Sequence, residues 1–165
     1  MQALMTFLHC DEMLKHAHVA EIAEVKSAVA SVAWAQTHQA AYNREFATEF
    51  RQRGWESQPL LCTNPKLIGD FRKGRVFVEL QFGNSATLYR DFYKFQYGWE
   101  NGLISLAVLI VPTTPKRFFP MRGASINNMA EYANALDICQ TVTRINVPTL
   151  IVGMLPDGLN EHARR

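Results

Sequence analysis

The stretch Asp70-Phe-Arg-Lys-Gly-Arg-Val-Phe-Val-Glu79-Leu-Gln81 decides the fold of this chain. An acid precedes a short basic turn, and a strand follows that carries a second acid and an amide. Side chains two residues apart on a strand point to the same face, so Glu79 and Gln81 share a face with Phe77. The turn brings Asp70 back beside that face. Two carboxylates at one strand edge form an oxygen-rich site that suits Mg²⁺.

The other face of this strand carries only apolar side chains and is expected to lie in the core. These residues are Val76, Val78, Leu80 and Phe82. A Glu-x-Gln pair opposite such a row is also typical of a solvated outer face, so the spacing alone leaves both interpretations open.

The composition predicts one globular domain. The chain has 165 residues, of which 48% are hydrophobic and 11% aromatic. This length can bury a sizeable core, and the apolar share excludes a disordered or fibrous protein. The net charge of +2 does not by itself indicate a nucleic-acid partner. The basic residues instead cluster beside the candidate site and again in a later segment, as Arg72, Lys73 and Arg75 and as Lys116, Arg117 and Arg122.

The cysteines and the apolar runs predict a cytoplasmic protein without a membrane segment. The three cysteines lie far apart and form no C-x-x-C pair, which favours reduced thiols. The first residues lack a basic stretch, so no signal peptide is expected. The longest apolar run, Leu103 to Val111, is too short to span a bilayer, and its length favours a strand buried on both faces.

The chain divides into successive parts of one domain, residues 1–165. Residues 1–54 contain only one kind of pattern, apolar stripes at helical spacing, and are predicted to be mostly helical. Residues 55–111 form the catalytic sheet region, with a helix after Asn84 that ends at Gly98. A loop over 112–128, a helix from Met129, a strand over Pro148–Met154 and a loosely held tail over 156–165 complete the chain. This order predicts an α/β fold with a mixed central sheet and helices on both faces.

These motifs, in this order, resemble the BglII/BstYI group of type II restriction endonucleases, relatives of BamHI with the PD-(D/E)xK nuclease fold. The signature of the group is an Asp, eight residues, and then Glu-x-Gln, which Asp70, Glu79 and Gln81 match. General nucleases of this fold carry Lys where Gln81 stands. Flanking segments extend the similarity over about residues 8–155. The resemblance therefore implies a restriction-endonuclease-like fold.

The resemblance also implies Mg²⁺-dependent hydrolysis of phosphodiester bonds. Asp70, Glu79 and the backbone carbonyl of Leu80 would bind the metal, and Gln81 would orient the attacking water or contact the phosphate. Arg72 and Lys73 are expected to contact the DNA backbone; the alternative is that they are ordinary solvated charges of a turn.

The segment from Arg122 to Asn128 offers donors and acceptors suited to base edges. One of its polar residues could instead cap the following helix. The resemblance implies a palindromic site with a GATC centre. A two-fold symmetric site implies a homodimer, with residues 84–97 as a candidate interface. The expected DNA-binding residues beyond the basic turn are Asn84, Arg117, Arg122, Ser125, Asn127 and Asn128.

The sequence thus predicts a homodimeric, Mg²⁺-dependent endonuclease of double-stranded DNA, half of a restriction-modification system with a DNA methyltransferase as its genetic companion. The alternatives are a modification-dependent or repair nuclease of the same fold and a non-catalytic DNA-binding protein. An additional acid could come from Glu24, Glu45 or Glu49, and the sequence does not choose among them. Asp91, Tyr93 and Lys94 are assigned to a helix surface.

Overall fold

A six-stranded mixed β-sheet lies at the centre of the protein. The computed structural model describes residues 1–35, 38–142 and 146–157. The strands are β1 (Gln2–Leu8), β2 (Glu56–Ser57), β3 (Leu60–Cys62), β4 (Leu67–Ile68), β5 (Phe71–Lys73), β6 (Val76–Leu80), β7 (Leu106–Pro112) and β8 (Thr149–Leu155). The strand order in the central sheet is β1-β8-β7-β6-β5-β2; β6, β7 and β8 are parallel, and the outer pairs are antiparallel. The short strands β3 and β4 form a separate two-stranded sheet.

Helices cover both faces of this sheet, which confirms the predicted fold class. The helices are α1 (Glu12–Ala17), α2 (Val19–Ser31), α3 (Gln39–Gln52), α4 (Thr87–Glu100), α5 (Pro115–Phe118) and α6 (Tyr132–Asp137). The side chains of α2 and α3 pack on one face with Val76 and Val78, and those of α4 and α6 pack on the other face with Phe77. Alternation along β6 therefore divides its side chains between two cores, of which the strand pattern predicted the one that contains Val76 and Val78.

The hairpin of β5 and β6 positions the candidate site. Lys73 pairs with Val76 across a two-residue turn, and Gly74 occupies its first position with φ of 56°. Glycine adopts this left-handed conformation without the steric cost of a side chain. Phe71 pairs with Val78, so the residue before Phe71 falls beside Glu79. The register therefore places Asp70 where the sequence predicted it.

The prediction of a mostly helical first third was wrong at its beginning. Residues Gln2–Leu8 form β1, an edge strand that pairs antiparallel with β8. Leucine, methionine and alanine favour helices in isolation, and the stretch lacks the Gly or Pro that would mark a break. Pairing with β8 decides its conformation, because tertiary contacts override weak local propensity.

Other boundaries also differ from the sequence-based expectation. α4 does not end at Gly98 as predicted but continues to Glu100. Gly98 instead allows close packing, since an added Cβ there would lie 3.1 Å from the Ile104 side chain. The segment predicted as a loop over 112–128 contains α5 and a 3₁₀ segment, Pro120–Asn128. Of the predicted tail, residues 158–165 lie outside the described residues. Within the described ranges, no helix is long and apolar enough to cross a bilayer.

Candidate active site

A polar cavity of about 520 Å³ opens where β6 ends and α4 passes over it. The sequence-predicted trio of Asp70, Glu79 and Gln81 lines this cavity. β6 supplies Glu79, Gln81 directly follows β6, and Asp70, which directly precedes β5, supplies the second carboxylate. The β5–β6 hairpin thus brings these three residues together at the end of β6.

The carboxyl groups of Asp70 and Glu79 lie against each other at this edge. Asp70 Oδ2 accepts a hydrogen bond of 2.7 Å from the backbone N–H of Leu80. Glu79 is only 3% exposed. Burial and the nearby Asp70 and Asp91 carboxylates hold the pKa of Glu79 well above its usual range, against the opposing effect of Lys94. Burial also raises the pKa of Asp70. Such crowding of buried negative charge favours a cation as a partner.

Gln81 is held at both ends of its side-chain amide. Its Nε2 donates a hydrogen bond of 2.6 Å to Asp91 Oδ2, and its Oε1 accepts one of 2.9 Å from the backbone N–H of Gly83. Gln81 is 7% exposed. The interpretation of Glu79 and Gln81 as a solvated face is therefore wrong, since α4 covers this end of the strand.

Asp91 and Lys94 are functional candidates that the sequence assignment to a helix surface missed. They are 1% and 5% exposed, and they project from α4 into the cavity. Lys94 Nζ donates hydrogen bonds of 2.9 Å to Glu79 Oε1 and 3.2 Å to Asp91 Oδ1. Asp91 follows Leu88 by three residues and therefore lies on the buried stripe of the helix. That spacing was a signal in the sequence that Asp91 is buried.

The three acids considered as additions to the site lie elsewhere. Glu24 accepts hydrogen bonds from Lys73 and Trp55, and Glu49 accepts one from Arg53. Glu45 accepts a hydrogen bond of 3.2 Å from the backbone N–H of Ala33. The additional acid at the cavity comes from α4 as Asp91, so this expectation is corrected.

The two hairpin residues expected to contact the DNA backbone, Arg72 and Lys73, are engaged in ion pairs away from the cavity. Arg72 pairs with Glu56 at 2.7 Å, and Lys73 pairs with Glu24 at 2.7 Å. Lys73 lies three residues along from Asp70, which corresponds to about 10 Å of strand. The basic residues that do line the cavity, besides Lys94, are Lys66 and Arg90, and neither was singled out from the sequence.

Replacing Glu24 by glutamine is expected to destabilise the protein by about 1 kcal/mol near neutral pH. Burial acts to raise the pKa of Glu24, but hydrogen bonds from Lys73 and Trp55 outweigh it and the pKa is lowered. A lowered folded-state pKa contributes stability above the unfolded-state pKa that is lost as pH falls through the folded-state value. Urea unfolding should therefore show a difference in the free energy of unfolding between the parent and Glu24→Gln at neutral pH, and this difference should disappear in acid. The exposed Glu100→Gln is the matched control; a pH-independent difference would contradict this account.

The oxygen donors at this edge fit a hard cation. Mg²⁺ is commonly held by one or two carboxylates and keeps several waters, which matches the paired Asp70 and Glu79. The backbone carbonyl of Leu80 is a third candidate oxygen. In the described part of the chain, no group of three or more His, Cys, Asp and Glu side chains forms a metal cage. Both carboxylate oxygens of Asp91 are engaged, one by Gln81 and one by Lys94, whereas Lys94 bonds only Oε1 of Glu79. The metal candidates therefore remain the predicted pair and the carbonyl.

The segment predicted to read bases lies beside this cavity on the protein surface. Ser85 N–H donates to Asn128 O at 2.7 Å, and Ala130 N–H donates to Gly83 O at 2.8 Å. These main-chain bonds join the turn after β6 to the end of the 3₁₀ segment. The exposed candidates are Asn84, Arg117, Arg122, Ser125, Asn127 and Asn128.

The expectation that a polar residue of this segment caps the following helix was wrong. The N-cap position of α6 is Glu131, without a side-chain capping hydrogen bond. Ser125 Oγ instead donates to the backbone carbonyl of Arg122 at 2.8 Å. Arg122 donates to the side-chain oxygen of Gln39 on α3.

Comparisons with known proteins agree with this architecture. A family model described as restriction endonuclease BglII/BglIII matches residues 3–154. The crystal structure of restriction endonuclease BglII complexed with a DNA 16-mer is similar with a TM-score of 0.78 and 15% identity, over 95% of this chain and 78% of that chain. Free BglII is similar with a TM-score of 0.68 and 17% identity, over 95% and 81% of the two chains. Curated proteins include no relative that matches in sequence.

Proposed function

The chain belongs to the BglII/BglIII family of restriction endonucleases, and on that basis we propose that it cuts double-stranded DNA at a short palindromic site by Mg²⁺-dependent hydrolysis. The observation that carries the proposal is the convergence of Asp70, Glu79 and Gln81 in one polar cavity. A protein that only binds DNA has no use for a buried Glu79 carboxyl group next to the half-buried carboxyl group of Asp70, since burial of charge is costly.

The proposed roles of the residues follow from their positions. Asp70 and Glu79 bind Mg²⁺ with the Leu80 carbonyl. When bound, Mg²⁺ lowers the pKa of a coordinated water and neutralises charge on the phosphate. Gln81 has no charge, and its amide orients the attacking water or contacts the phosphate. Its bonds to Asp91 and Gly83 fix the orientation in which it does so.

The proposed DNA surface lies next to the turn that follows β6, on one side of the cavity. Arg122, Asn127 and Asn128 carry the groups that pair with guanine and adenine edges, and their exposure supports such a role. Asn84, Arg117 and Ser125 extend this surface. Arg72 and Lys73 remain proposed backbone contacts at its margin, although both already hold an acidic partner. A GATC-centred site is the proposed target.

A palindromic target is cut most simply by a symmetric dimer. The outer face of α4 supports this proposal, because Tyr89 and Tyr93 are 49% and 53% exposed there. Exposed aromatic side chains on one helix face favour an interface with a second protein surface. We further propose a cytoplasmic location and a DNA methyltransferase as the genetic companion that protects the host sites.

Digestion of unmethylated plasmid DNA with excess Mg²⁺, followed by sequencing of the ends, tests this function. Discrete fragments with uniform four-base 5′ overhangs are expected, and they reveal the site directly. Random degradation would indicate a non-specific or repair nuclease. Cutting of methylated DNA alone would indicate a modification-dependent enzyme. Intact DNA in every case would overturn the nuclease proposal in favour of a binding protein.

A further inference from the structure

Lys94 is the one buried ammonium group among three carboxyl groups at the cavity in the described part of the chain. Two of its three N–H donors bond to Glu79 and Asp91, and the side chain lines the open cavity. Burial of an ammonium group beside candidate metal ligands is costly, and this cost indicates a functional role for Lys94 as well as a structural one.

The charge balance of the cavity shows what this ammonium group contributes. Among the side chains that meet at the carboxylates, Asp70, Glu79 and Asp91 carry three negative charges when ionised and Lys94 carries one positive charge, which leaves two negative charges. Lys66 and Arg90 also line the cavity, but they are exposed and solvent screens their charges. One divalent cation balances the two negative charges of the cluster. Without Lys94 the loaded cluster would retain a negative charge and repel the phosphodiester anion.

The neighbouring Gln81 cannot supply this charge. Its amide is neutral, and both of its ends are already bonded, to Asp91 and to Gly83. Lys94 donates a hydrogen bond to the same Asp91 from α4, so the helix places a positive charge next to the neutral amide of Gln81.

We propose that Lys94 is a further catalytic residue, which donates its remaining N–H to a non-bridging oxygen of the scissile phosphate. This inference rests on the proposed nuclease function. In the reaction, one water oxygen bonds to phosphorus, one phosphorus–oxygen bond breaks, and the proton of the water leaves to solvent or to the departing oxygen. Lys94 keeps its protons throughout and stabilises the negative charge that develops on the phosphoryl oxygens.

The decisive variant is Lys94→Gln, which keeps a hydrogen-bond donor and removes the charge. Single-turnover cleavage at saturating enzyme should slow by about 100-fold or more, the size of effect typical when one group that stabilises transition-state charge is lost. Calorimetric titration of the same variant with Mg²⁺ alone, without DNA, should show binding about threefold tighter or more, because the ammonium group no longer repels the metal or occupies Glu79. The exposed Lys26→Gln is the control for charge and should leave both quantities unchanged.

Slower cleavage together with tighter Mg²⁺ binding in Lys94→Gln distinguishes a catalytic role of Lys94 from a purely structural one. If Lys94 only held the carboxylates in place, its loss would weaken Mg²⁺ binding and cleavage together, and that result would overturn the proposal. Cleavage within about threefold of the parent would overturn it as well. The additional substitution Gln81→Lys restores a cation beside Asp91 and should recover at least about tenfold of the lost rate.

A second comparison keeps the test valid if Lys94→Gln is unstable. Thermal unfolding identifies such a variant, and Lys94→Met, of similar length and without hydrogen-bonding groups, should then show the same slow cleavage. The parent chain and Asp70→Asn are assayed beside these variants. If the parent leaves all DNA intact, the nuclease function and this proposal fall together. If the parent cuts DNA and Lys94→Gln cuts it equally fast, only this proposal falls.

Discussion

Asp70→Asn is expected to reduce Mg²⁺-supported cleavage by about 1,000-fold or more, equivalent to about 4 kcal/mol of transition-state stabilisation. The substitution keeps the shape of the side chain and its ability to accept the 2.7 Å hydrogen bond from Leu80 N–H. It removes one of the two carboxylates proposed to bind the metal. Single-turnover cleavage of a plasmid that carries the site measures the effect.

Binding of DNA by Asp70→Asn should remain at least as tight as that of the parent in the absence of metal. One negative charge fewer at the cavity reduces repulsion of the phosphate backbone. The exposed Asp137→Asn is the matched control and should cleave normally. If Asp70→Asn cuts as fast as the parent, the proposed metal site is misplaced.

Phe50→Ala is expected to destabilise the protein by about 3–5 kcal/mol, the range typical of buried phenylalanine truncations. The ring of Phe50 is fully buried. It stacks on Phe71 with centroids 4.5 Å apart and meets Trp55 edge-on at 5.1 Å. Chemical denaturation measured by circular dichroism gives the loss of unfolding free energy.

This contact also bears on the candidate site. Phe71 directly follows Asp70, so the stack with Phe50 anchors β5 to α3 at the point where the site begins. Phe50→Leu fills more of the space than alanine and should cost clearly less stability. Equal losses for the two variants would show that aromatic stacking, and not the filled volume, dominates here.

The sequence predicted the layers of the fold because its strongest patterns are local. Alternation along Val76 to Phe82 assigned each side chain to a face, and the structure confirms the assignment. β7, which contains most of the longest apolar run, is buried at every position. Its length and composition were sufficient to predict a strand covered on both sides. β1 was missed because its residues favour a helix and only its pairing with β8 makes it a strand.

Half of the candidate site could be predicted in the same way. Asp70, Glu79 and Gln81 belong to one hairpin, where a short turn and a fixed two-residue period determine which groups meet. Such a prediction needs only the geometry of neighbouring residues in the chain.

The other half depended on how α4 packs across the sheet. Asp91 and Lys94 carry charges that usually mark the solvated side of a helix, and the sequence assignment followed that tendency. The fold instead turns them inward, because the stripe that includes Leu88 and Phe92 must lie on the sheet and Asp91 lies on that stripe. Local periodicity determined the carboxylate pair and its amide. Only the packing of distant elements decided that a buried lysine completes their charge balance, since nothing in the spacing of β6 specifies which helix residue lies above it.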